Sequence, residues 1–201
     1  MKSAIRYLRA HADEYGIDPA HIAVWGESAG GYLAAMAGVT GNVETFDKGD
    51  DPDQSSRVEA VVDKFGPSDM SRIAADFDAN PQRAYAAADN PIARYVEGTS
   101  GRQPLTARPV ASGPANPLSY AGATDPPFLL FHGDQDRLVS PSQTLILHQA
   151  LRAAGVSSTR YVVHGAGHGD LAFGVDPQSS YLWSSNETMG VIVSFLQRTL
   201  R

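Results

Sequence analysis

The chain of 201 residues contains no cysteine, which removes disulfides, thiolate metal sites and cysteine nucleophiles together. That absence leaves the compartment open, because a cysteine-free chain suits reducing and oxidising surroundings alike. Runs of basic residues are also missing. With 16 Lys and Arg against 22 Asp and Glu, the formal charge is −6, so nucleic acid and anionic membrane surfaces are poor partners. No apolar run approaches a membrane span; Phe128-Leu129-Leu130-Phe131 is typical of what there is. The first sixteen residues lack the apolar core of a secretory signal, which favours a cytoplasmic location unless further residues precede Met1. Asp47, Asp50, Asp51 and Asp53 make the one acidic cluster, but the ligand ladder of an EF-hand is absent, so no metal is expected and the segment 41–56 reads as a solvated loop.

What is present is 42% hydrophobic and 19% charged residues, the composition of a globular domain. Met1 to Gly16 reads as an amphipathic helix with Ile5, Leu8, Ala12 and Tyr15 on one stripe and Gly16 as a left-handed cap. Strands are expected at His21 to Trp25, Val58 to Val62, Phe128 to Phe131 and Thr159 to Val163. Helices are expected at Ala29 to about Val39, at Ser142 to Ala154, and at the C-terminus. The last of these starts with a capping box of Ser184 and Glu187 and buries Met189, Ile192, Val193, Leu196 and Leu200. Strands alternating with helices imply an α/β fold, a mostly parallel sheet with helices on both faces. The stretch 71–127 carries short helical pieces (73–77, 81–88, 91–96) and a Pro/Gly/Ser-rich segment from 98 to 117. It suits either a lid-like, substrate-facing insertion or a plain surface loop.

Gly26-Glu27-Ser28-Ala29-Gly30 matches G-x-S-x-G. The bare pattern is weak, but it falls between a strand and a helix, where a sharp turn exposes the serine hydroxyl and aims the Ala29 N–H at a developing oxyanion. A serine nucleophile needs a base, and the base needs an orienting acid. Asp136 follows the strand at 128–131 and His168 follows the strand at 159–163, each beyond the carboxyl end of a parallel strand, where such sheets place their sites. Asp134 competes with Asp136, since an Asp so near a strand end can instead cap backbone amides, and His164 competes with His168. His132 reads as a structural ring at a strand end, and Glu27 as a hydrogen-bonding or exposed neighbour of Ser28.

These residues resemble the α/β-hydrolase superfamily, and more closely the bifunctional feruloyl and acetyl-xylan esterases and related carboxylesterases and lipases. The likeness is carried by Tyr15-Gly16-Ile17-Asp18-Pro19, Gly26 to Gly31, Val61 to Asp69, Asn116-Pro117, Asp125 to Phe128, His132 to Val139 and Gly165 to Gly169. It implies that Ser28 is the nucleophile, His168 the base, Asp136 its partner and Ala29 one oxyanion donor. It also implies hydrolysis of a small-molecule or glycan-linked ester through an acyl-enzyme, with no metal or organic cofactor. The prolyl-oligopeptidase type of serine peptidase shares this residue order, and a hydrolase-fold module without turnover keeps the same residues.

One departure stands out. Members of the family place several strands and a His-Gly-Gly-type loop ahead of the nucleophile; here one strand and no such motif precede Ser28, so no second oxyanion donor is found in this chain. The expectation is a single, N-terminally incomplete hydrolase domain in which the nucleophile strand lies at an open edge, completed by a missing segment or a second chain.

Overall fold

A computed structural model describes residues 1–97, 113–169 and 181–201. Part of the Pro/Gly/Ser-rich segment of the 71–127 insertion lies outside the described residues. The described elements run α1 (Lys2–Ala10), α2 (Ala12–Tyr15), β1 (Ala23–Glu27), α3 (Ala29–Val39), β2 (Ala60–Lys64), α4 (Ala79–Ala86), α5 (Pro91–Glu97), β3 (Phe128–Gly133), α6 (Ser142–Ala153), β4 (Ser158–Val163) and α7 (Asn186–Thr199).

The strands form one parallel sheet of four in the order β1-β2-β3-β4, with Trp25 beside Val62, Val62 beside Leu129 and Leu129 beside Thr159. The two central strands are buried along their whole length, and each opens on an apolar run, Ala60 to Val62 in β2 and Phe128 to Phe131 in β3, because both of their faces are covered. Alternation still divides them: Val61, Phe128 and Leu130 meet α3, α6 and Ile5 of α1, whereas Ala60, Val62, Leu129 and Phe131 meet Trp183 and the Ile192–Phe195 face of α7. Two layers of helix therefore sandwich one sheet, and the loops at its carboxyl end are free to carry a site.

Three local expectations change. The N-terminal helix breaks at His11 into α1 and α2, and only Ile5 and Ala12 of the expected stripe are buried, while Leu8 and Tyr15 lie exposed. The reason is that α1 also turns Lys2 and Arg6 inward. Lys2 Nζ donates to the carbonyls of Thr40 and Val43, and Arg6 donates to those of Lys48, Asp50 and Asp51; both also reach the Asp47 carboxylate at 3.1 Å. The acidic segment 41–56 is thus clamped to α1 rather than merely solvated. At the other end of the chain the cap of α7 is Ser185, whose hydroxyl accepts from Thr188 N, one residue later than expected. The buried face is accordingly Thr188, Ile192 and Phe195, and Val193 is exposed. The third change concerns 73–77, which forms turns rather than a helix.

β1 occupies an edge of the four-stranded sheet, and its Trp25 side chain is exposed. Gly16 caps α2 in the left-handed conformation, at φ 63°.

Candidate active site

The site is built at the carboxyl end of the sheet. β1 runs into α3 through Ser28, which is held at φ 54° and ψ −120°, a region a non-glycine residue occupies only when its surroundings enforce it. Two bonds enforce it here: Ser28 N donates to Lys64 O at 2.9 Å and Tyr32 N to Ser28 O at 3.0 Å. The turn also needs bare backbone around it. A Cβ on Gly26 would lie 2.1 Å from the Gly30 carbonyl, and one on Gly31 would lie 2.2 Å from Asp63 Oδ1. Gly26 and Gly31 are therefore steric conditions for the turn, whereas a Cβ on Gly30 would meet nothing within 4 Å. Ala29 opens α3, so its N–H is among the first-turn amides that have no acceptor within the helix.

β3 and β4 bring the other two groups to Ser28. His168 Nε2 lies 2.7 Å from Ser28 Oγ, and His168 Nδ1 lies 2.7 Å from Asp136 Oδ2. Asp136 is fully buried and His168 is 5% exposed. The other Asp136 oxygen accepts from the amides of Leu138 and Val139 at 2.8 and 2.9 Å. Burial pushes the Asp136 carboxyl up, but the bonds from His132 and His168 outweigh it and hold the group well below the usual carboxylate range. An ionised carboxylate facing Nδ1 fixes a proton there, which leaves Nε2 to accept from the serine.

The competing residues are also placed. Asp134 Oδ2 pairs with His164 Nδ1 at 2.9 Å, and its Oδ1 accepts from Gly165 N at 2.8 Å, so Asp134 ties the β3 and β4 loops together while the His164 side chain is 86% exposed. Glu27 pairs with Lys64, whose ammonium lies over the Trp25, Phe65 and Trp183 rings.

Ser28, Ala29 and His168 open on a cleft of about 380 Å³ walled by side chains such as Tyr32, Met70, Tyr85, Ile92, Tyr95 and Leu138. Tyr85 and Ile92–Tyr95 come from α4 and α5, so this part of the 71–127 insertion faces the cleft. A small, mostly apolar wall beside a polar group is suited to an acyl chain or ring rather than to a charged substituent.

Three supporting residues escaped the sequence reading of the site. Phe65, at φ 49° after β2, packs its ring 4.9 Å from His168. Gln143 Oε1 accepts from both Ser68 N and Asp69 N at 2.8 Å, fixing the loop that follows Phe65. Asp63 is fully buried under the first turn of α3, where its Oδ1 accepts from Gly66 N at 2.8 Å. Its signal was visible as a carboxylate inside an apolar strand, Val61-Val62-Asp63, a placement that always demands an explanation.

Sheet, turn and loop order define an α/β-hydrolase fold. The family described as BD-FAE matches residues 1–151, and the chain belongs to it. Among named relatives, the Mycobacterium tuberculosis esterase LipC is 31% identical over 170 residues, covering 84% of this chain and 40% of that protein. The probable carboxylic ester hydrolase LipM of the same organism is 34% identical over 143 residues, covering 71% of this chain and 30% of its own length. A solved structure described as a truncated form of carbohydrate esterase from gut microbiota superposes with a TM-score of 0.78 at 28% identity, over 98% of this chain and 66% of that one. The chain spans less than half the length of the curated relatives it matches.

Proposed function

We propose that the chain carries the nucleophile, base and acid of a carboxylic ester hydrolase, with Ser28, His168 and Asp136 acting as a triad through an acyl-enzyme. The observation that carries this reading is the unbroken chain of two 2.7 Å contacts from Asp136 through His168 to Ser28, ending on the apolar cleft. The esterase names of the relatives support the same class.

In this reading Ser28 Oγ attacks the ester carbonyl as its proton passes to His168 Nε2, and Asp136 stabilises the imidazolium that forms. The Ala29 N–H donates to the oxyanion at the end of α3, where the helix dipole adds to the bond. The alcohol leaves with the proton from His168, and a water activated by the same nitrogen releases the acid. The acyl group sits against Tyr32, Met70 and Ile92, and the alcohol side is a small molecule or a glycan, a choice supported by the likeness to a carbohydrate esterase.

The test is Ser28→Ala in the natural protein that contains this chain. Turnover of short acyl p-nitrophenyl esters is expected to fall by roughly 10⁴-fold or more, and labelling by a fluorophosphonate to disappear. Retained labelling or turnover would overturn the assignment. A panel of peptidyl substrates separates an esterase from a peptidase of the same geometry.

A further inference from the structure

Behind the Asp136 carboxylate lies a second imidazole that the reaction as described does not use. His132 is fully buried at the end of β3. Its Nε2 lies 3.0 Å from the Val139 carbonyl and 3.2 Å from Asp136 Oδ2, the same oxygen that His168 reaches. Its Nδ1 lies 3.1 Å from Thr144 Oγ1, and that oxygen accepts from Arg160 Nε at 2.9 Å.

The donor inventory fixes the tautomer. A guanidinium only donates, so Arg160 occupies one lone pair of Thr144 Oγ1 and leaves the threonine hydrogen available to His132 Nδ1. At the other end a carbonyl and an ionised carboxylate only accept. The neutral ring therefore carries its hydrogen on Nε2 and shares it between Val139 O and Asp136 Oδ2.

We propose that His132 is a positioning residue for the reaction: the Arg160–Thr144–His132 chain holds a second N–H against Asp136 Oδ2, which fixes the carboxylate's rotation and draws off part of its charge. His132 thereby sets how strongly Asp136 can hold the His168 imidazolium. The inference rests on the esterase reading above, but its physical core is a titration that needs no turnover. Among the described residues, the other ionisable groups around the pair are Tyr85, which donates to Leu138 O at 2.9 Å, the Asp134–His164 pair, the Lys64–Glu27 pair behind the Phe65 ring, and Asp63 beneath α3. Asp76 faces Arg160 at the far end of the chain.

The experiment compares His132→Leu, His132→Gln and Thr144→Val in the natural protein. His132→Leu is expected to lower kcat by about 30-fold, through the lost fixing of the carboxylate's rotation, with KM within about twofold because His132 does not line the cleft. It is also expected to raise the acid limb of kcat/KM by about half a pH unit or more, since an unshared Asp136 charge holds the imidazolium more tightly. His132→Gln, which places an amide N–H where Nε2–H stood, is expected to keep the limb in place and recover most of kcat. Thr144→Val leaves the ring in place and is expected to lower kcat by only about threefold. The same shift of His168 is read by NMR titration in a Ser28→Ala background. An unmoved His168 titration in His132→Leu, or a Gln variant that shifts it as far as Leu does, overturns the inference. Retained labelling of Ser28→Ala overturns the esterase reading instead.

Discussion

Two places in this molecule gather nitrogen groups around a carboxylate with buried charge on at least one side, the cations Lys2 and Arg6 at one and Asp136 at the other, and they serve different ends. At the α1 clamp, Lys2 and Arg6 meet Asp47, and their remaining donors go to backbone carbonyls of the segment 40–51. At the sheet end, His132 and His168 meet Asp136, and the chain of contacts runs on to a hydroxyl bordering a cleft. Buried charge is common to both, so burial alone does not mark a site. The distinction lies in where the chain ends: in backbone carbonyls at the clamp, and at the Ser28 hydroxyl beside open space at the cleft.

The sharpest way to break this comparison is to strip charge from each carboxylate at the cleft. Asp136→Asn keeps the shape but reverses the bond that orients His168, and is expected to cut kcat by about 10³ to 10⁴-fold. Asp134→Asn, on the neighbouring loop, disturbs a pair with a highly exposed histidine, and is expected to change kcat by less than about threefold. A large loss for Asp134→Asn beside a small one for Asp136→Asn would place the acid at Asp134; steady-state kinetics on p-nitrophenyl esters decides. At the clamp the loss should appear in stability. Arg6→Met takes a donor from three backbone carbonyls, of which Asp51 O keeps Gln54 N, and from one side of Asp47, and is expected to destabilise by about 2 kcal/mol, the range for hydrogen bonds to a charged group, because Asp47 is part-exposed and keeps Lys2 and Ser56. Denaturant melts measure this, and activity per folded molecule should be unchanged.

The same contrast explains what the sequence made legible. The cleft is written in backbone constraints with narrow spellings: Gly26 and Gly31 are steric necessities, Ser28 needs its strand and helix, and Asp136 and His168 follow strand ends that the apolar runs announce. Strand and helix positions followed from burial of both sheet faces, with boundary shifts of one or two residues at most strand ends. The clamp has no such spelling. Lys2 and Arg6 sit on a helix whose other residues suggested a different inward face, and nothing local tells that their partners lie some forty residues away in carbonyl groups, which carry no sequence identity. His132 in the sequence is a packed ring at a strand end and no more, because its meaning depends on Thr144 and Arg160, brought beside it only by the α6–β4 return.

Asp63 supplies the finest probe, since it is a buried carboxylate with neither a cation nor a cleft. Oδ1 is bonded to Gly66 N, Oδ2 has no hydrogen-bond partner among the described residues, and burial pushes the group up to about 7. With the folded pKa above the unfolded value, the unfolded chain releases its proton first as pH rises. Stability is therefore lost between about pH 4 and 7, with a slope of at most about 1.4 kcal/mol per pH unit, and is level below and above that window. Lys2, Arg6 and Ser56 have the opposite effect on Asp47, which is held below its usual range despite the pull of burial, so the clamp weakens only under acid. Asp63→Asn keeps an acceptor for Gly66 N and removes the ionisation. Its melting temperature should therefore be nearly flat from pH 5 to 7 where the parent's declines, by about 1 kcal/mol per pH unit in stability. Parallel melting curves for parent and variant across that range would mean that Asp63 stays ionised in the fold, and that a buried carboxylate here needs neither a cation nor a cleft to hold its charge.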